Sequence, residues 1–122
     1  MRIYSKDAIN LTKQEEAYCK KLVSGGAIYS LYVECCEPEN KSKNRIFIAK
    51  KGPCCIAWAV IKQEQVNLYQ FMVYVKLKYR RKGIGSDLYQ RAKKYFNLKD
   101  KNISVSETGN VSKKFFSKIK NN

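Results

Sequence analysis

The chain has 122 residues, room for one domain over 1–122 and not for two. Hydrophobic residues make up 44%, enough for a core, yet no apolar run approaches the ~18–20 residues of a membrane span. The net charge of +15, from 25 basic against 10 acidic residues, excludes no fold but draws acidic partners: nucleic acid, a ribosome, an anionic surface or a polyanionic cofactor.

The lysines are spread along the chain rather than gathered in one arm, as on ordinary solvated faces. The first residues, Met1 to Asp7, hold no apolar signal region, so the expectation is a cytoplasmic protein with no membrane partner. Five cysteines occur, Cys19, Cys35, Cys36, Cys54 and Cys55, with no Cys-x-x-Cys and no histidine. Neither a zinc site nor a secreted disulfide framework fits that pattern. Reduced thiols serving as small buried hydrophobes fit better.

In chain order, Met1 to Ser5 reads as a short first strand. Thr12-Lys13-Gln14-Glu15 is a capping-box pattern, and the apolar face through Ala17, Tyr18, Cys19, Leu22 and Val23 predicts a helix over about 13–23, ended by Gly25-Gly26. Ala27 to Cys36 fits strand alternation and helical spacing alike. Arg45 to Lys50 reads as a strand, Lys51-Gly52-Pro53 as a turn, and Cys54 to Ile61 as the next strand, with a second turn at 62–65. Val66 to Leu77 is then a long strand. Phe71, Val73, Val75 and Leu77 share one face and Met72 and Tyr74 the other, so both faces should be covered. After a loop, Ile84, Leu88, Ala92, Tyr95 and Phe96 mark the buried stripe of a helix. Ile103 to Ser106 gives a last strand, Glu107 to Asn110 a turn, and Val111 to Ile119 a last helix. The strand-helix-strand crossover implies a parallel pair flanked by antiparallel strands.

The most informative stretch joins the long strand to its helix: Val75-Lys76-Leu77-Lys78-Tyr79-Arg80-Arg81-Lys82-Gly83-Ile84-Gly85-Ser86. A strand, a basic glycine turn and a helix gather unpaired backbone N–H groups where phosphate oxygens bind. Gly83 and Gly85 would let a ligand approach the backbone closely. The Walker pattern is absent, and Leu88 stands where a dinucleotide fingerprint needs its third glycine.

Arg80-x-x-Gly83-x-Gly85, entered from Val75, resembles the acyl-CoA loop of the GNAT superfamily, the GCN5-related N-acetyltransferases, whose motif is Gln/Arg-x-x-Gly-x-Gly/Ala. The family often has Pro where this chain has Leu77. Ala57-Trp58-Ala59-Val60 resembles the family's apolar middle strand. The fold this implies is α/β (α+β): a GNAT-like mixed, mostly antiparallel sheet with a parallel splayed strand pair, flanked by helices. The implied activity is transfer of an acetyl group from acetyl-CoA, the co-substrate, to an amine acceptor by direct attack. The resemblance places the pantetheine arm along Val73, Tyr74 and Val75. It places the pyrophosphate on Arg80, Arg81, Lys82, Gly83, Ile84, Gly85 and Ser86, with Arg81 and Lys82 adding positive charge.

Many relatives carry a Glu on the strand before the loop, and this chain has none there. Glu64 and Glu107 are the nearest carboxylates in sequence; Glu107, at the end of the parallel strand, is the candidate catalytic base. The family's end signature is only partly kept: aligned on Phe115 and Lys118, its Asn position is Gly109, with Asn110 displaced by one as a cofactor contact. Phe116 stands where the family has Tyr. The family usually continues with two further strands, while this sequence stops at Asn122. That leaves the acceptor side open to completion by a partner chain, a homodimer included. The acceptor itself, a small molecule or a protein and acidic if the charge is used, is not specified by the sequence. Two other readings stand beside this one: a basic nucleic-acid-binding module using Lys78 to Lys82 as a phosphate patch, and a catalytically silent fold of the same family.

Overall fold

The computed structural model describes residues 1–22 and 44–105. Five strands lie in one sheet in the order of the chain: β1 (Arg2–Asp7), β2 (Asn44–Lys51), β3 (Cys54–Gln65), β4 (Leu68–Val75) and β5 (Ile103–Val105). The first three pairings, β1–β2, β2–β3 and β3–β4, are antiparallel, and β4–β5 is parallel. Helix α1 (Lys13–Leu22) follows a single 3-10 turn (Ala8–Asn10), and helix α2 (Ile84–Tyr95) makes the crossover from β4 to β5. The mixed, mostly antiparallel sheet with one parallel pair is the predicted architecture. The choice between helix and strand for Ala27 to Cys36, the end of the first helix at Gly25-Gly26, and the last helix from Val111 lie outside the described residues.

The sheet is covered on both faces, which explains why β3 carries the longest apolar run. On one face Phe47, Ala49, Ala57, Ala59, Ile61, Phe71, Val73 and Val75 pack against Ile84, Leu88, Tyr89 and Ala92 of α2. Alanine on three of these sheet positions, and Ala92 opposite them, lets the helix lie close to the strands. On the other face Ile46, Ile48, Trp58, Val60 and Met72 pack with Ala8, Leu11 and Tyr18 from the α1 side. A bulge between β2 and β3 at Ala49/Lys50 puts Ile56 and Ala57 in the same cluster and sends Cys55 to the opposite one. Each large aliphatic side chain buried this way contributes roughly 1.5–3 kcal/mol.

The capping box forms as its sequence predicts. Glu15 N–H donates to Thr12 Oγ1 at 3.1 Å, and Thr12 N–H donates to Glu15 Oε1 at 2.9 Å. The same carboxylate receives Lys6 Nζ at 2.8 Å and the Tyr4 hydroxyl at 2.7 Å, so one buried acid fastens α1 to β1.

Four sequence expectations need correction. The polar stretch 62–65 is not a turn: β3 continues through it to Gln65, and the two-residue turn is Val66-Asn67. There the hairpin is exposed, so polar side chains are compatible with strand and say nothing about chain reversal. The strand before the loop is correspondingly shorter, Leu68–Val75. Val66 (82% exposed) and Leu77 (76% exposed) both lie outside it, Leu77 on a 3-10 turn. Within α2, Tyr95 is half exposed and Tyr89 is the buried aromatic instead. Of the cysteines, Cys55 is buried but Cys54 is exposed.

Tyr89 is tolerated in the core because its hydroxyl has a partner. It donates to Asp100 Oδ1 at 2.7 Å, and Lys93 Nζ approaches the same carboxylate at 3.1 Å. Burial, then the hydrogen bond and charge of Asp100, raises the phenol above its ordinary range. Tyr89→Phe keeps the shape and removes one hydrogen bond, so urea unfolding should show a loss of about 1 kcal/mol. An unchanged midpoint would mean that the Tyr89–Asp100 bond adds nothing to the docking of α2.

Candidate active site

The site is built where β4 leads into the loop before α2. The β4–β5 register pairs Tyr69 with Ile103, Gln70 with Ser104 and Phe71 with Val105, the last described residue, and β4 runs on to Val75. Its other edge stays paired with β3 to the end: Tyr74 opposes Trp58, Val75 opposes Ala57, and Lys76 N–H donates to Ile56 C=O at 2.9 Å. That last bond fixes the phase of the antiparallel ladder, whose residues bond to the partner strand alternately. Met72 and Tyr74 spend their backbone groups on β3. Val73 and Val75 therefore present theirs to the opposite edge, beyond the described end of β5.

One of those groups is already engaged. Arg80 Nε donates to Val75 C=O at 2.8 Å, curling the loop back over the end of β4. The Val75 carbonyl is thus held by Arg80, while the Val73 groups and the Val75 N–H face the edge away from β3. The Arg80 guanidinium also lies 5.7 Å from the Tyr74 ring centre. Sequence reading grouped Val73, Tyr74 and Val75 as equals; the ladder separates them. Tyr74 offers its side chain to the α1 side of the sheet and its backbone to β3, not to the opposite edge.

From Val75 the chain makes a 3-10 turn (Leu77–Tyr79) and enters α2 through two left-handed residues, Arg81 at φ 64° and Gly83 at φ 82°. A non-glycine residue in that region is uncommon and marks a shaped loop. Gly83 is the N-cap of α2 with no side chain capping the end. The first helical bond runs from Asp87 N–H to Gly83 C=O at 2.9 Å, so the N–H groups of Ile84, Gly85 and Ser86 have no helical acceptor. No described residue accepts from the N–H groups of Arg81, Lys82 or Gly83 either. Six successive donors at the positive end of a helix dipole form an anion-binding concavity. Gly83 is required there by its backbone angle. Gly85 is helical and buried, so its role differs from that of Gly83.

Cations surround this loop. Arg81 and Lys82 are exposed on it. The ammonium groups of Lys78, Lys51 and Lys82 lie 5.2, 5.7 and 5.8 Å from the Tyr79 ring centre. Lys51 comes from the end of β2, far away in sequence, and no pattern in the chain announced it. The buried thiol of Cys55 is pushed up to about 11 by burial, which keeps it protonated and a poor nucleophile.

The candidate base fares unevenly. Glu64 sits at the β3–β4 hairpin, 3.9 Å from Lys62, at the opposite end of β4 from the loop. One eight-residue strand is roughly 25 Å at ~3.3 Å per residue, too far for proton transfer. Glu107 and Asn110 lie outside the described residues, Glu107 two positions after the end of β5. Glu15 is buried on the α1 face, but its four hydrogen bonds commit it to holding α1.

The parallel strand β4 thus feeds a basic turn and the N-terminus of α2. The sequence matches the model of the Acetyltransferase (GNAT) family over residues 13–119, and the chain belongs to that family. No curated protein sequence matches it significantly. Solved structures with the same fold include the apo aminoglycoside 6'-N-acetyltransferase AAC(6')-Ig of Acinetobacter haemolyticus, at 14% identity and TM-score 0.67, over 98% of this chain and 89% of that one. A GNAT-family acetyltransferase of Streptococcus pneumoniae aligns at 17% identity and TM-score 0.68, over 97% of this chain and 84% of that one. The PaiA N-acetyltransferase of Thermoplasma acidophilum, crystallised with coenzyme A, aligns at 18% identity and TM-score 0.63, over 99% and 89%. At these identities the likeness is one of fold. Among the described residues no helix is long and apolar enough to cross a membrane.

Proposed function

We propose that this protein transfers an acetyl group from acetyl-CoA to the amine of an acceptor. The observation that carries the reading is that β4, the strand paired in parallel with β5, runs directly into a loop whose N–H groups from Arg81 to Ser86 have no acceptor among the described residues. Bound there, acetyl-CoA supplies an activated thioester carbonyl for the amine to attack. The chain's own part is positional. The Val73 backbone groups and the Val75 N–H, which face away from β3, would pair with an amide-bearing arm as a further strand would. The N–H groups of Arg81 to Ser86 are placed to take the pyrophosphate oxygens, and Arg80, Arg81 and Lys82 lower the cost of bringing that charge to the protein. PaiA, crystallised with coenzyme A, supports the choice of ligand.

Attack requires a neutral amine. An α-amine, at ~7.7–8, loses its proton at neutral pH far more readily than a lysine at ~10.4, so a strong base is needed only for the latter. We assign the base role to Glu107, two residues after Val105 in the sequence, with Asn110 as a further cofactor contact. The basic nucleic-acid module is the weaker reading, because the sequence matches the acetyltransferase family over residues 13–119.

Calorimetric titration with acetyl-CoA, followed by a screen of amines, amino acids and peptides for release of free thiol, tests the reading. Saturable binding at one site and acceptor-dependent thiol release are expected. Binding without turnover on any amine would favour a silent member of the family. Salt-sensitive DNA binding with no acetyl-CoA binding would favour the nucleic-acid module.

A further inference from the structure

Three ammonium groups converge on one aromatic ring beside the loop. Lys51 arrives from the end of β2, Lys78 from the 3-10 turn after β4, and Lys82 from the loop, all within 6 Å of the Tyr79 ring centre. A ring offers a cation two faces, so attraction to Tyr79 does not by itself account for three. Two ammonium groups this close to a common point lie at most roughly 12 Å apart, little beyond a Debye length of ~8 Å at physiological ionic strength, and they repel. None of the three forms an ion pair with another described residue. The arrangement is a cluster of positive charge suited to a compact dianion, sharing Lys82 with the pyrophosphate loop and adding Lys51 and Lys78 beside it.

We propose that Lys51, Lys78 and Lys82, arrayed around Tyr79, bind the 3'-phosphate of the coenzyme and make the protein selective for coenzyme A over its 3'-dephospho form. The proposal rests on the cofactor reading above and goes beyond it, because the loop amides account only for the pyrophosphate. Its sequence basis is the pairing of Lys51 with Cys54 across the β2–β3 turn, which puts Lys51 at the end of the sheet where β4 also ends. The phosphate monoester carries close to two negative charges at neutral pH and accepts several charge-assisted hydrogen bonds, which matches three flexible ammonium donors.

The test compares coenzyme A with 3'-dephospho-coenzyme A by calorimetry at fixed ionic strength. The unaltered protein should bind the former at least ~10-fold tighter, a ratio equal to about 1.4 kcal/mol. In Lys51→Gln/Lys78→Gln that ratio should fall to near one, chiefly through weaker coenzyme A binding. A charge-matched control, Lys13→Gln/Lys101→Gln, removes two exposed cations elsewhere and should keep the ratio. Equal affinity for the two ligands in the parent protein overturns the inference and leaves the pyrophosphate assignment standing. An unchanged ratio in Lys51→Gln/Lys78→Gln, with the variant's melting curve intact, overturns it as well. Failure of coenzyme A to bind at all would remove this inference together with the cofactor reading.

Discussion

Gly83→Val is expected to weaken coenzyme A binding by ~100-fold or more while leaving the fold intact. Gly83 has φ 82°, and a Cβ added there meets no atom within 4 Å. The cost of valine is therefore backbone strain, not a clash. A side chain in the left-handed region costs roughly 1–2 kcal/mol, and β-branching makes valine among the worst residues there. The loop escapes by turning Gly83 out of that region, which rotates the neighbouring N–H groups away from their common focus. Losing two charge-assisted bonds of ~1.5–3 kcal/mol each is enough for the predicted drop. Gly52→Val is the matched control. Gly52 has φ 60°, also with nothing within 4 Å, but it lies in the β2–β3 turn. Both variants should lose similar stability, and only Gly83→Val should lose the ligand. A folded Gly83→Val protein with parental affinity would show that the loop does not hold the pyrophosphate.

The second large effect concerns stability and pH. Burial works to raise the Glu15 carboxyl, but Lys6, the Thr12 N–H and the Tyr4 hydroxyl outweigh it and hold the group at about 2 against an ordinary 4.5. A carboxyl depressed on folding stabilises the native state above its unfolded value. That contribution disappears as pH falls from about 4.5 to about 2. At 1.36 kcal/mol per unit the contribution is about 3 kcal/mol at neutral pH. Glu15→Gln should therefore lower the unfolding free energy at pH 7 by ~2–3 kcal/mol, or roughly 10 °C in melting temperature. The difference between parent and variant should shrink as the pH is lowered through that window. Denaturant titrations of both proteins at several pH values would check it. Parallel stability curves from pH 7 to pH 2 would show that the Glu15 network carries no net stability.

Much of this was legible because the signals were local or periodic. Thr12-x-x-Glu15 is a contact between neighbours, and it forms as written. The alternation in β4 depends only on the pleat, which puts Phe71, Val73 and Val75 against α2 and Met72 on the other side. Arg80-x-x-Gly83-x-Gly85 between an apolar strand and an amphipathic helix forecast a loop at a helix N-terminus because glycine and charge at fixed offsets constrain the backbone directly. The Lys62 to Gln65 turn failed for a related reason: polarity reports exposure, and the end of an exposed hairpin is polar whether or not it reverses. Tyr89 was missed because a buried tyrosine needs a hydroxyl partner, and Asp100 supplies one from beyond the helix.

By itself the sequence determined the strand-loop-helix unit, the two-sided burial of β4 and the positive character of the loop, since each follows from residues within a few positions of one another. Only the tertiary structure decided that Val73 and Val75 turn their backbone groups away from β3, that Arg80 returns to occupy the Val75 carbonyl, and that Lys51 joins Lys78 and Lys82 around Tyr79. Strand register and the meeting of side chains from separate turns are set by the packing of the whole sheet, in which partners distant in the sequence compete for the same edge. No local pattern encodes the outcome of that competition.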